Sequence, residues 1–132
     1  MLTGKTNEER IWNYLTEAGM TACGAAGLMG NLYAESGLIP TNLQNTYEKK
    51  LGYTDASYTA AVDSGAYTNF AKDGAGYGLA QWTYHTRKAA LLAFAKAAGK
   101  SVGDLETQLA FLVHELGGSF PCLLYTSPSP RD

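Results

Sequence analysis

Residues 30–45, GNLYAESGLIPTNLQN, end one helix abruptly and set the frame for the chain around them. Upstream, Ala25, Ala26, Leu28, Met29, Leu32 and Tyr33 recur at helical spacing and carry Glu35 into the last turn. Ser36-Gly37 then stops the helix, and Pro40 forbids an early restart. A carboxylate at a helix C-terminus, among apolar neighbours, is a setting that suits a general acid. The alternative is a solvated Glu in a fraying turn, and Glu35 alone does not decide between them.

Composition narrows the classes. The 132 residues are 45% hydrophobic and 17% charged, enough for one domain with a modest core. A net charge of −2 makes no case for a nucleic-acid partner or an anionic membrane. No apolar run is long enough to insert in a membrane, and MLTGKTNEER lacks the apolar region of a signal peptide. Two His and one credible Cys, widely separated, form no metal-ligand set, and no cofactor is implied.

The C-terminal residues 122–132, CLLYTSPSPRD, break the pattern with Pro128 and Pro130 and look like a translated sequencing adaptor. They are read as a non-native tail on a domain of residues 1–121, itself cut short at its C-terminus. On that reading Cys122 is discounted, and Cys23 stands alone without a disulfide framework.

From the start of the chain, Thr6-x-x-Glu9 reads as a capping box before Ile11, Trp12, Tyr14, Leu15 and Ala18, with Gly19 as the stop. Thr21 caps the helix that carries Glu35, and Gly24, Gly27 and Gly30 along it would let a second helix approach. Short helices are expected over residues 43–51, stopped by Gly52, and from an Asp55 cap to Asp63, stopped by Ser64-Gly65. A stronger one spans residues 86–98, with Ala90, Leu91, Phe94 and Ala97 inward. Asp104 caps the last, residues 105–116, whose stripe of Leu105, Leu109, Leu112 and Val113 needs a partner.

Between these helices lies NFAKDGAGYGLAQWT, residues 69–83, with Gly74, Gly76 and Gly78 alternating. That pattern suits a tight hairpin or an extended loop against a ligand. It is no dinucleotide fingerprint, because the G-x-G-x-x-G spacing fails and no strand precedes it.

A helix ending in Glu-Ser-Gly, a loop with Pro, and then a G-x-G-L-x-Q segment resembles the lysozyme-like superfamily, which includes goose-type lysozymes and lytic transglycosylases. The nearer resemblance is to the phage tail lysozyme domain, through GNLYAESGL, NLQNTYEKKLG, AGYGLAQWT and TRKAALLAFAK. It implies a mainly α (α+β) domain with a small β-hairpin beside the substrate cleft. It also implies a muramidase that cleaves peptidoglycan between N-acetylmuramic acid and N-acetylglucosamine. The implied setting is a phage virion tail or the cell wall, with the glycan strand and other tail proteins as partners.

Residue by residue, Glu35 matches the catalytic acid, with Ser36 beside it. Gly76, Tyr77, Gly78, Leu79 and Gln81 match the wall of the sugar groove, where glycine lets backbone amides approach an acetamido group. Gln81 offers that group both a donor and an acceptor. Tyr77, Trp82 and Tyr84 are candidates to stack on sugar faces, with core packing as the alternative. For the second carboxylate we take Asp73, against the alternative of an Asp-Gly turn residue, with Asp63 and Glu48 behind it. A lytic transglycosylase needs none of them, since the substrate's own 6-hydroxyl attacks.

Two further classes are open. Cys23 near a helix N-terminus, with His85 or His114 as base, would make a cysteine peptidase or amidase on the stem peptide; as a structural residue it is instead a small core side chain. A tail component that binds glycan without cleaving it would keep the same fold.

Overall fold

The computed structural model describes residues 2–116, and the tail at residues 122–132 lies outside the described residues. Six helices follow one another: α1 (Asn7–Glu17), α2 (Ala22–Ser36), α3 (Asn45–Leu51), α4 (Asp55–Ser64), α5 (His85–Ala98) and α6 (Leu105–Glu115). One 3-10 turn, Phe70–Lys72, interrupts the link between α4 and α5. The mainly helical, lysozyme-like expectation agrees with this order. α1 packs on α2 and α6, α6 on α5, and α5 on the 3-10 turn.

The caps explain most boundaries. Thr6, Thr21 and Asp104 each accept a backbone N–H from three residues on, and Gly37, Gly52, Gly65 and Gly99 close helices in the left-handed region. Four details depart from the sequence reading. Glu9 reaches the Lys5 N–H at 2.8 Å rather than that of Thr6. Thr54 with Ser57 caps α4, freeing Asp55 to accept the Leu43 N–H at 2.9 Å. That bond keeps Leu43 extended, so α3 begins at Asn45. Of the three glycines on α2, Gly24 is buried, whereas Gly30 is exposed with open space where a Cβ would stand.

α5 turns a different face inward from the one its apolar residues suggest. Lys88, Leu91 and Ala95 are buried and Phe94 half-buried, while Ala90 and Ala97 are exposed. The cause is Lys88, whose ammonium sits 2.6 Å from Asp73 and 2.8 Å from the Ala75 carbonyl. Around this pair packs an aromatic group of Tyr58, Phe70 and Tyr77, with ring centroids 5.4–6.0 Å apart. The α6 stripe is covered: Leu105, Leu109 and Leu112 are buried, and Phe111 packs edge-on against Trp82.

The expected β-hairpin is not formed as a ladder. The described residues hold two isolated antiparallel bridges, Leu43 with Tyr77 and Tyr77 with Trp82. The chain reverses after a single pair, in a turn closed by the Gln81 N–H on the Gly78 carbonyl at 3.0 Å. α5 then starts at His85, too soon for a second strand to grow. Gln108, fully buried on α6, holds this turn from behind. Its Oε1 accepts the Leu79 N–H, and its Nε2 donates to the carbonyls of Pro40 and Val102, all within 2.9 Å.

Candidate functional site

Glu35 is the meeting point of two adjoining recesses on one side of the domain. The larger, about 530 Å³, is lined by Glu35, Gln44, Gly76, Ala80, Gln81, Thr83, Tyr84 and Arg87. The smaller, about 280 Å³, shares Glu35, Gln44 and Gln81 and runs on to Asn42 and Thr46. The half-buried Glu35 is held on the last turn of α2, which Gly37 closes at φ +66° by donating to the Tyr33 carbonyl. The next residue, Leu38, also lies in the left-handed region, at φ +64°. Two successive left-handed residues turn the chain sharply away from the carboxylate. Asn42 ties the return to the helix end, donating to the Ser36 carbonyl at 2.8 Å.

Beside Glu35, the lining around Gly76 is backbone packed against amide side chains. Gly76 donates to Gln44 Oε1 at 2.9 Å and its carbonyl accepts the Gln44 N–H at 2.8 Å. A Cβ on Gly76 would stand 2.8 Å from Gln81 Oε1 and 3.3 Å from both Gln44 Oε1 and Thr83 Oγ1. Three acceptor oxygens therefore crowd over this glycine. Gln81, at φ +51°, spends both hydrogens of its Nε2 on the carbonyls of Asn42 and Gly78. It presents an acceptor and no spare donor, which narrows the role expected for it. The backbone is similarly committed: the N–H groups of Gly76, Tyr77, Gly78 and Leu79 donate to Gln44, Trp82, Asn42 and Gln108. They are structural bonds, so the expected amide cradle for an acetamido group is already filled by protein.

The aromatic expectations separate. Tyr84 is 71% exposed and lines the larger recess. Tyr77 and Trp82 are fully buried; Tyr77 packs on Tyr58 and Phe70 and shares a hydrogen bond with Thr59, while Trp82 Nε1 donates to Glu115 at 3.0 Å. Neither lines a recess: as partners across one antiparallel bridge they share a face, and that face is inward. Leu79 is likewise core, and Gly78 lies against Gln108. Ser36 is buried, with its hydroxyl donating to the Leu32 carbonyl at 3.0 Å.

Asp73 is not among the residues that line either recess. Its side chain, 1% exposed, accepts from Lys88, Tyr58, Tyr67 and the Ala75 N–H at 2.6–3.0 Å. Burial pushes its carboxyl up, but the Lys88 ammonium, the Tyr58 hydroxyl and the Ala75 N–H outweigh that and hold it below its ordinary value. Burial and the adjacent Asp73 push the Tyr58 hydroxyl far above the usual tyrosine range. The other acids considered sit elsewhere: Asp63 holds Ser101 and the Val102 N–H, and Glu48 bonds to Asp55, which raises its carboxyl. Among the lining residues of both recesses, Glu35 is the only acid.

Cys23 is exposed and disulfide-bonded, so it is neither a core side chain nor a free thiol for His85 or His114. Among the described residues no three His, Cys, Asp or Glu side chains group as a metal site, and no helix is long and apolar enough to cross a membrane.

Comparison with protein families decides the affiliation: the model for phage tail lysozyme matches residues 6–130. The chain belongs to the phage tail lysozyme family. A peptidoglycan-lytic function and a phage tail setting go with that membership. No curated protein and no solved structure matches the chain. The match runs past the described part of the chain and across most of residues 122–132.

Sequence reasoning missed Gln44 and Arg87 among the residues that line the recesses. Gln44 sits in the NLQN block, where a helix over residues 43–51 is expected and its contact with Gly76 has no signal. Arg87 follows the usual pattern of a solvated helix residue, and its place in the groove lining, over the Trp82 ring, has no signal in the local sequence.

Proposed function

We propose that the protein is a muramidase in which Glu35 protonates the glycosidic oxygen between N-acetylmuramic acid and N-acetylglucosamine. The observation that carries this is the position of Glu35, the one acid among the residues lining both recesses, on a helix end and in recesses that Gln44 and Gln81 also line. A glycan lying along the groove would pass from the Asn42 side to the Tyr84 side with a glycosidic bond over Glu35. The acceptor oxygens of Gln44 and Gln81 suit sugar hydroxyl and acetamido N–H donors, and Tyr84 offers a ring face. Asp73 enters this reading as a support for the wall rather than as a base, since its bonds to Lys88 and Ala75 anchor the start of the glycine segment.

The single acid of the groove supports a second reading, a lytic transglycosylase, in which the 6-hydroxyl of the muramic sugar attacks and no protein base is required. Mass spectrometry of peptidoglycan digested by the protein and by Glu35→Gln separates the two. A reducing muramic end made only by the unaltered protein is the expected result. A 1,6-anhydro end would select the second reading. Cleaved stem peptides with intact glycan, or equal glycan cleavage by Glu35→Gln, would overturn both.

A further inference from the structure

Arg87 stands on the wall of the larger recess with Glu35, in the first turns of α5. Its Nε and Nη2 donate to the two carboxylate oxygens of Glu115 at 2.9 and 2.7 Å. The guanidinium carbon lies 6.0 Å from the Trp82 ring centroid, and Glu115 also accepts the Trp82 indole N–H. This contact uses the side edge of the guanidinium. Of its five N–H donors, the remaining three, two of them on the end-on edge, meet no protein acceptor among the described residues. The side chain is 41% exposed.

An arginine pinned by one edge has already lost its rotamer freedom, so taking a planar anion on the other costs little further ordering. It is the only cation among the groove's lining residues, and the other polar groups there are neutral apart from Glu35. A uniformly neutral glycan has no use for such a group. The muramic sugar of peptidoglycan does, because its 3-O substituent carries carboxylates, either on the lactyl group or on the attached peptide.

We propose that Arg87 is a specificity-determining residue that receives a carboxylate borne by the muramic substituent of the glycan strand. This rests on the glycosidase reading above. Glu115 and Trp82 act through it, as positioning residues that fix the angle of the fork.

The test compares peptidoglycan strands with the same strands whose carboxylates have been converted to amides by carbodiimide coupling. Both are prepared with stem peptides intact and with the stems removed by an amidase, which uncovers the lactyl carboxylate. The unaltered protein should prefer the carboxylate form by roughly tenfold in kcat/KM, the worth of one charge-assisted contact. Arg87→Gln combined with Glu115→Gln, which leaves no uncovered charge and keeps an acceptor for Trp82, should bring that ratio close to one. Arg87→Lys should fall between, having charge without the fork. Because a ratio is read, any loss common to both strands drops out. A preference in stripped strands assigns the lactyl carboxylate, and one confined to intact strands assigns the peptide. An unaltered protein with no preference, or a double variant that keeps it, overturns the role of Arg87 alone. Failure of the unaltered protein to release glycosidic products from any strand overturns instead the reading on which it rests.

Discussion

Lys88 Nζ lies 2.6 Å from Asp73 Oδ1, and the two side chains are 0% and 1% exposed. Each charge is satisfied beyond its partner: Lys88 also donates to the Tyr58 hydroxyl and the Ala75 carbonyl, and Asp73 accepts from Tyr58, Tyr67 and the Ala75 N–H. Removing one partner strands the other in a dry site. Asp73→Asn or Lys88→Met should each cost roughly 3–5 kcal/mol of unfolding free energy, and the double replacement should cost less than the two summed. Urea denaturation of the four proteins measures this. Additive losses would show that the two charges are not coupled.

The same pair sets the acid limit of the fold. Asp73 is held below the ordinary value of 3.8, so the unfolded chain binds its proton at higher pH than the native one. Its stabilisation is therefore present above about 4 and lost as pH falls through the native value. At the other end, the raised Tyr58 hydroxyl stays protonated in the native state, so stability falls as pH climbs past its ordinary 10.0. Thermal midpoints across pH should show both limbs, with the acid limb shallower in Asp73→Asn. An unchanged acid limb in that variant would remove Asp73 as its cause.

Trp82 and Tyr84, two residues apart, should respond in opposite ways. Trp82→Ala empties a fully buried site against Phe111 and should cost about 3–5 kcal/mol of stability. Tyr84→Ala removes an exposed ring and should leave stability within roughly 0.5 kcal/mol. If that ring stacks on sugar, KM should rise roughly threefold to tenfold. Calorimetry and initial rates on soluble strands report both, and an unchanged KM would dismiss Tyr84 as a contact.

How far these roles can be read from sequence differs by residue. Helix ends were legible because Thr6, Thr21, Gly37 and Gly52 act on their own neighbours. Lys88 was not, because a lysine at a buried helix position is paired by a residue 15 positions away that reads as an ordinary Asp-Gly turn. Of the 76–82 segment, Gly76 and Gln81 line the recess beside Glu35 as the sequence led one to expect, whereas Tyr77, Leu79 and Trp82 are buried. Alternation allowed either face to be inward, and the bond of Gln108 to Leu79, 29 residues distant, marks the buried side. Gln44 was misjudged for a similar reason, since Asp55 keeps Leu43 extended and delays α3.

Two glycines test whether that brace matters. Gly78, at φ +84°, would place a Cβ 2.9 Å from Gln108 Oε1 and 3.0 Å from its Nε2. Gly52, at φ +79°, would meet nothing within 4 Å. Alanine at either position carries the left-handed strain of about 1–2 kcal/mol. Only Gly78→Ala should also disturb the three bonds of Gln108, each worth about 1 kcal/mol. Gly78→Ala should therefore be clearly the more destabilising in urea unfolding, and equal losses would mean that Gln108 yields freely.

Gly76 separates the groove from the fold. Its φ lies outside the left-handed region, so alanine meets no backbone strain there. The added Cβ would instead push on Gln81 Oε1 at 2.8 Å, and Gln81 cannot simply swing aside while its Nε2 holds the carbonyls of Asn42 and Gly78. The side chain must either give up those bonds or move into the recess beside Glu35. Gly76→Ala should thus cost only about 1 kcal/mol of stability, the worth of a disturbed hydrogen bond, yet lower kcat/KM by roughly tenfold or more through misplacement of the substrate. Equilibrium unfolding alongside product release from peptidoglycan checks the split. Wild-type activity with a shifted unfolding midpoint would place Gly76 among the packing glycines and take the acceptor cluster out of substrate binding.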